Sequence, residues 1–352
     1  MNHIDKYFRQ MQEHGASDLH MVIGFPPLLR MRGELVPMNA PVLTPESNKQ
    51  ILFEILDSAQ RELIEKNKDL DKAYELEGVG RFRCNFMYQH HGIGAVFRLI
   101  PTKILTLDQL GMPEAVKKIA HYQRGLVLVT GPTGSGKSTT MAAIIDSIND
   151  NYAKHIITIE DPLEFVHPNK KCIFSQREVG THAKSFSQAL QVASREDPDV
   201  ILVGEMRDLE TIALALTCAE LGILVFGTLH TNSAGKTIDR IINSFPAEQQ
   251  AQTRTMLSES LKAVVAQQLL KTKDGKGRCA AIEVLIGSSA LASIIRDGKI
   301  TQVESLIQSG RSQGMQTMDY HLQMLINAGT ISREAAREKA IDKSLFSNPG
   351  EE

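Results

Sequence analysis

The stretch GLVLVTGPTGSGKSTT, residues 125–140, carries the clearest chemistry in the chain. Gly131, Gly136, Lys137 and Ser138 stand at the spacing G-x-x-x-x-G-K-[ST], behind an apolar strand and ahead of a helix-forming run. Glycines at 131, 134 and 136 let the backbone curl until its N–H groups face a phosphate. The start of the following helix adds its positive end. Thr133, Ser135 and Thr139 complete the cradle by position, Lys137 places a charge between β- and γ-phosphates, and Ser138 offers a hydroxyl to Mg²⁺. A glycine-rich turn with an incidental lysine would not need that strand and that helix. The stretch reads as a nucleotide-binding P-loop.

Phosphoryl transfer also needs an acid to hold the metal and another to orient water. DPDVILVGEMRD, 197–208, supplies a buried strand running to Glu205, with Gly204 where an aspartate is commoner. ITIEDPLEF, 157–165, makes up that deficit with Glu160, Asp161 and Glu164 at the carboxyl end of a parallel strand, where open α/β sheets bind ligands. Glu160 and Asp161 join Ser138 and Glu205 as metal candidates; the competing reading is a solvated loop whose acids cap the next helix. FGTLHTNS, 226–233, ends a third strand with His230 and Thr231. His230 either touches a γ-phosphate or is satisfied within its loop, and the residues alone leave the two even. Arg81 and Arg83 alternate along GRFRCNF, so they share a strand face, and Arg98 on AVFRLI can join them. Three arginines there suit a transferring phosphoryl group, or simply form a solvated hairpin face. Arg195 and Arg207 flank the Glu205 strand and are candidates to pair with its acids.

The elements that must position these residues fall into two sets. Residues 1–14 have helical spacing, with Ile4, Tyr7, Phe8 and Met11 on one face. Ser17 to Met38 reads as two strands around Phe25-Pro26-Pro27, and a helix starts at Thr44-Pro45-Glu46 and runs to about Lys66. GRFRCNFMYQ and AVFRLI form a hairpin across 90–94. This makes a small α+β domain over 1–100, followed by a proline-bounded linker, 101–113. Short aliphatic strands then alternate with helices: 126–130, 155–159, 200–204 and 223–228. That pattern belongs to an α/β fold with a parallel sheet buried on both faces. This domain spans 114–287 and ends in a hairpin with its tip at KTKDGKGR, 271–278. Residues 288–352 return to helical spacing, with Ser332 capping a last helix and SNPGEE as a frayed end.

At 352 residues the chain has room for two cores. Its formal net charge of -2 and absence of Trp argue against a nucleic-acid translocase, leaving the short basic tip KTKDGKGR as a solvated hairpin. The polar N-terminus lacks the apolar core of a signal peptide, and no apolar run is long enough to span a bilayer. Cys84, Cys172, Cys218 and Cys279 lie far apart with no CxxC pair, which fits reduced thiols in a cytosolic protein.

Together these blocks resemble the type IV pilus retraction motors (the PilT-like group) of the secretion ATPase superfamily. The likeness runs from GASDLHM and GRFRCNF through GPTGSGKSTT, ITIEDPLEFVH, SREDPDVILVGEMRDLETI and FGTLHTNSAGKTIDRI to GMQTMDYHL and ISREAAREKA. It implies a PAS-like small domain, a RecA-like ATPase domain with Mg-ATP bound between them, and a cytoplasmic homohexamer. The ring would work at an inner-membrane platform protein at the pilus base, with a second retraction ATPase as a possible co-worker. It also implies Lys137 and Ser138 as phosphate and magnesium contacts, Glu205 as the Walker B acid and Glu164 as catalytic base. His230 falls in the family's His box, and Arg81, Arg83 and Arg98 match the arginines brought to the nucleotide. The missing N-terminal extension and tetracysteine module favour retraction over secretion or pilus assembly. Three departures leave room for an accessory paralogue: Ile223 after Gly222 instead of histidine, Gly180 after QREV, and Asp297 in LASIIRDGK instead of glutamate.

Overall fold

The computed structural model describes residues 2–31, 33–100, 103–275 and 277–347. It divides into two compact units, Met1–Lys103 and Ile104–Glu352. Pro101 and Thr102 of the expected linker, Lys276 of the hairpin tip and 348–352 of the expected frayed end lie outside the described residues.

The first unit contains α1 (His3–Glu13), β1 (Asp18–Met21), β2 (Leu28–Met31), β3 (Glu34–Pro37), α2 (Pro45–Phe53), α3 (Ser58–Asn67), β4 (Asp69–Leu76), β5 (Gly80–Gln89) and β6 (Gly92–Ile100). Its sheet runs in the order β3-β2-β1-β6-β5-β4. α1 buries Ile4, Phe8 and Met11. Phe8 stacks on Phe82 with ring centres 4.1 Å apart. Since Phe82, Cys84 and Phe86 point inward, Arg81 and Arg83 must point outward. Three expectations need correction here. The stretch 17–38 holds three strands instead of two, because β3 folds back on β2. The single helix over 45–66 is two, because Asp57 accepts from Gln60 N and starts α3 afresh. β4, with its charged residues, was not anticipated; it pairs with β5 from Gly80 to Met87.

The second unit contains α4 (Glu114–Ile119), β7 (Gly125–Thr130), α5 (Lys137–Asn151), β8 (His155–Glu160), β9 (Ile173–Glu178), α6 (Phe186–Ala193), β10 (Val200–Val203), α7 (Leu209–Glu220), β11 (Leu224–Leu229), α8 (Ala234–Ile242), α9 (Gln250–Ser260), β12 (Leu261–Lys271), β13 (Arg278–Ile286), α10 (Ser289–Arg296), α11 (Val303–Ser309), α12 (Met318–Asn327) and α13 (Arg333–Lys339). Its sheet runs β13-β12-β7-β11-β10-β8-β9, parallel except for β13. Successive residues of each central strand enter opposite cores. Leu126, Ile157, Ile201 and Val225 join one face with α6, α7, α8 and α9. Val127, Ile156, Leu202 and Phe226 join the other with α4 and α5. This is why these strands read as unbroken aliphatic runs. The four expected strands lie within one residue of their observed ends, and β9 is an addition.

Leu107 and Met112, in the stretch read as a linker, are buried against the α4–α5 face. The last helices are also tied to the sheet. Leu291, Ile295, Val303 and Ile307 join the first core, while Met318, Leu322, Ile331 and Phe346 pack on Leu270 and Ala281 of the β12–β13 hairpin. Ser332 caps α13 as expected, accepting from Ala335 N at 3.1 Å. Cys84, Cys172 and Cys218 are buried free thiols and Cys279 is half-buried; burial pushes Cys84 up to about 12. No helix among the described residues is long and apolar enough to cross a membrane.

Candidate active site

β7, β8, β10 and β11 are parallel neighbours, so their carboxyl ends deliver the P-loop, Glu160, Glu205 and His230 to one edge of the sheet. Gly131 leaves β7 with φ of 147°, and a Cβ there would lie 2.2 Å from the Gln267 carbonyl oxygen, so only hydrogen fits. Gly136 precedes α5 at φ of 87°. Lys137 curls back over the loop, donating to the carbonyls of Gly131 at 2.8 Å and Pro132 at 3.2 Å. Burial lowers its pKa, while Glu205 and Glu164 pull the other way. Ser138 and Thr139 occupy the half-buried first turn of α5, and Thr133 and Gly134 are exposed on the loop.

His230 bridges the two functional groups. Its Nε2 lies 2.8 Å from Glu205 Oε1, and its Nδ1 lies 3.5 Å from Lys137 Nζ. A neutral ring protonated on Nε2 satisfies both, donating to the carboxylate and accepting from the ammonium. Arg207 Nε reaches the same Glu205 oxygen at 2.6 Å. Burial opposes ionisation of Glu205, but Arg207 and His230 prevail and its pKa is lowered. Of the two arginines considered for pairing, Arg207 does so and Arg195 is exposed.

Glu160 explains Gly204. A Cβ at 204 would sit 3.2 Å from Glu160 Cα and 3.4 Å from its Cγ, so a second acid just after β10 would crowd the neighbouring strand. Burial raises Glu160 to about 7. Its Oε2 accepts from Glu164 N at 3.4 Å, while Asp161 and Glu164 are exposed. These acids cap no helix: the chain stays non-helical from 161 to 172 and enters β9. β9 holds the segment in place. Buried Glu178 accepts from Leu163 N at 3.1 Å, and Gln176 bonds Phe165 O and His167 N at 2.9 and 2.8 Å. Among the described residues no three carboxylate, histidine or cysteine side chains converge on a metal position. Ser138 and Glu205 offer a hydroxyl and a carboxylate, oxygen donors of the kind Mg²⁺ takes beside waters and phosphate oxygens.

Arg81, Arg83 and Arg98 share one face in the first unit. Arg83 lies opposite Arg98 across β5 and β6, with Arg81 two residues along. Arg98 Nε donates to buried Asp18 Oδ1 at 2.9 Å, Arg81 lies 3.9 Å from Glu75, and Arg83 is exposed. One contact was not anticipated. Gln267 on β12 donates to Ser135 O at 2.6 Å and accepts from Thr140 Oγ1 at 2.8 Å. Two adjacent glutamines interrupting the apolar run AVVAQQLL were the signal.

Fold and site define an α/β protein with a P-loop nucleotide site. The family described as Type II/IV secretion system protein matches residues 2–347, and the chain belongs to it. It is 54% identical over 328 residues to the type IV pilus retraction ATPase PilT of Pseudomonas aeruginosa, covering 93% of this chain and 95% of that protein. Identity to the type IV pilus ATPase PilU of the same organism is 43% over 332 residues, covering 94% and 87%. The crystal structure of the pilus retraction motor PilT with bound ADP superposes with a TM-score of 0.92 at 45% identity, covering 98% of each chain.

Proposed function

We propose that this protein is an ATPase that drives type IV pilus retraction. The observation that carries the reading is its 54% identity to a retraction ATPase across nearly the whole of both chains; the linked Lys137, Glu205 and His230 supply matching chemistry. In this reading 1–100 is a PAS-like domain, 101–113 a linker, 114–287 a RecA-like ATPase domain and 288–352 a helical extension. Thr133 to Thr139 cradle the phosphates, and Lys137 exchanges the Gly131 and Pro132 carbonyls for phosphate oxygens. Ser138 and Glu205 would hold Mg²⁺, which would offset phosphate charge. Glu164 polarises the attacking water from a loop steadied by Glu160 and β9, with Asp161 beside it. Arg81, Arg83 and Arg98 neutralise charge on the nucleotide. The working form is a cytoplasmic homohexamer on the inner-membrane platform protein of the pilus.

The accessory-paralogue reading is weaker. Identity to PilU is lower, at 43% against 54%. Two of the three departures also lie off the site: Ile223 precedes β11, at the edge of the sheet opposite His230, and Asp297 pairs with Lys299 beyond α10, while Gly180 lies just past β9. Glu164→Gln tests the chemistry. Mg-dependent phosphate release should fall about 100-fold or more, as for loss of a general base, with ADP still bound. Unchanged turnover would remove Glu164 from the role.

A further inference from the structure

Gln267 sits on β12, which pairs with β7 on one side and β13 on the other. Its neighbour Gln268 faces away and donates to Lys339 O at 3.0 Å, so both sides of the strand are anchored. Gln267 is 2% exposed, and its partners Ser135 and Thr140 are 2% and 1% exposed. A buried amide needs such partners. What matters here is which partners they are and which way round the amide lies. The NH₂ faces a P-loop carbonyl and the oxygen faces a hydroxyl on α5.

A trans peptide holds its C=O and the next N–H in one plane, pointing opposite ways. Drawing the Ser135 carbonyl inward onto Gln267 therefore turns the Gly136 N–H outward, toward the side where a phosphate lies in a P-loop. The Thr140 hydroxyl fixes the amide's orientation, so NH₂ and not oxygen meets Ser135. Gly136 is glycine partly for this reason, since a Cβ would lie 2.9 Å from Gln267 Nε2.

We infer that Gln267 is a positioning residue for the nucleotide phosphates: it aims the Gly136 N–H and never touches the ligand itself. This rests on the P-loop reading, and wild-type ADP binding is the control for that reading. If wild type fails to bind ADP, the P-loop reading falls; the variants judge Gln267 only when wild type binds.

The test is ADP titration of the full chain, with unfolding temperature measured without nucleotide. Gln267→Glu sets a carboxylate oxygen against the Ser135 carbonyl, and Gln267→Met leaves that carbonyl without a donor. Each should weaken ADP binding about tenfold or more, as for an unsatisfied buried polar group. Thr140→Val, which frees the amide to flip, should weaken it several-fold, and Thr140→Ser should restore wild-type affinity. Val is close in shape to Thr, so this pair carries the test if the Gln267 variants fail to fold. ADP affinity within twofold of wild type in Gln267→Met, or equal affinity in Thr140→Val and Thr140→Ser, would overturn the proposal.

Discussion

Consider Gly204→Asp, which would give the Glu205 strand the paired acids seen in many P-loop proteins. The structure predicts a loss. The new Cβ would stand 3.2 Å from both Glu160 Cα and Ile159 O, tighter than ordinary contact. Overpacking of this kind costs about 1–3 kcal/mol. A second carboxylate would also face Glu160, which burial already raises to about 7; a like charge disfavours ionisation further. Glu160 is protonated more readily folded than unfolded, so its contribution is complete below the unfolded value and fades as pH rises through about 7. The deficit of the variant should therefore grow between pH 6 and pH 8. At roughly 2–4 °C per kcal/mol for a domain of this size, the unfolding temperature should drop by about 2–12 °C. Gly204→Ala, with the crowding but not the charge, should fall less and show no added pH dependence. Glu160→Ala in the Gly204→Asp background should recover part of the loss. Thermal unfolding by circular dichroism, beside phosphate release, reads all of this. An unchanged midpoint with faster hydrolysis would refute the reasoning, because it would mean that β10 does lack an acid.

Two further outcomes follow from the geometry. His167 is stacked on Phe174 at 5.0 Å, and burial lowers its pKa to about 4. The unfolded chain protonates first, near the free value of about 6.5, so stability should fall as pH drops from there to about 4, by on the order of 3 kcal/mol. His167→Phe should flatten that slope in acid unfolding, and an unchanged slope would place the sensitivity elsewhere. Arg83 is exposed on its strand, so Arg83→Ala should leave the unfolding midpoint within about 0.5 kcal/mol of wild type. Its turnover should nonetheless fall by about tenfold or more if the arginine serves a phosphoryl group; full activity would return the arginine face to a solvated hairpin.

What could be read along the chain was what the chain encodes locally. The P-loop, its flanking strand and helix, and the strands ending at Glu160, Glu205 and His230 are contiguous signals, and each is observed. β9 escaped because IFSQRE is half-buried, with no apolar run and no clean alternation. Yet it is β9 that holds the acidic loop, through Glu178 and Gln176. β3 and β4 escaped for a related reason, since both are edge strands whose charged or solvent-facing residues give no buried pattern. Gly204 looked like a missing acid because the residue that fills its space belongs to another strand. Gln267 contacts a loop 132 positions away, a pairing that no local period announces. The arginine face was legible because alternation within β5 and pairing with β6 suffice to build it.

The central claim is retraction, and it is tested most directly by counting surface pili and scoring surface motility in cells that lack this protein. The account predicts more pili together with lost motility, both reversed by the wild-type chain and not by Glu164→Gln. Bald cells would contradict it by making the protein a builder of pili, and unchanged pili and motility would contradict it by making the protein dispensable for pulling them in.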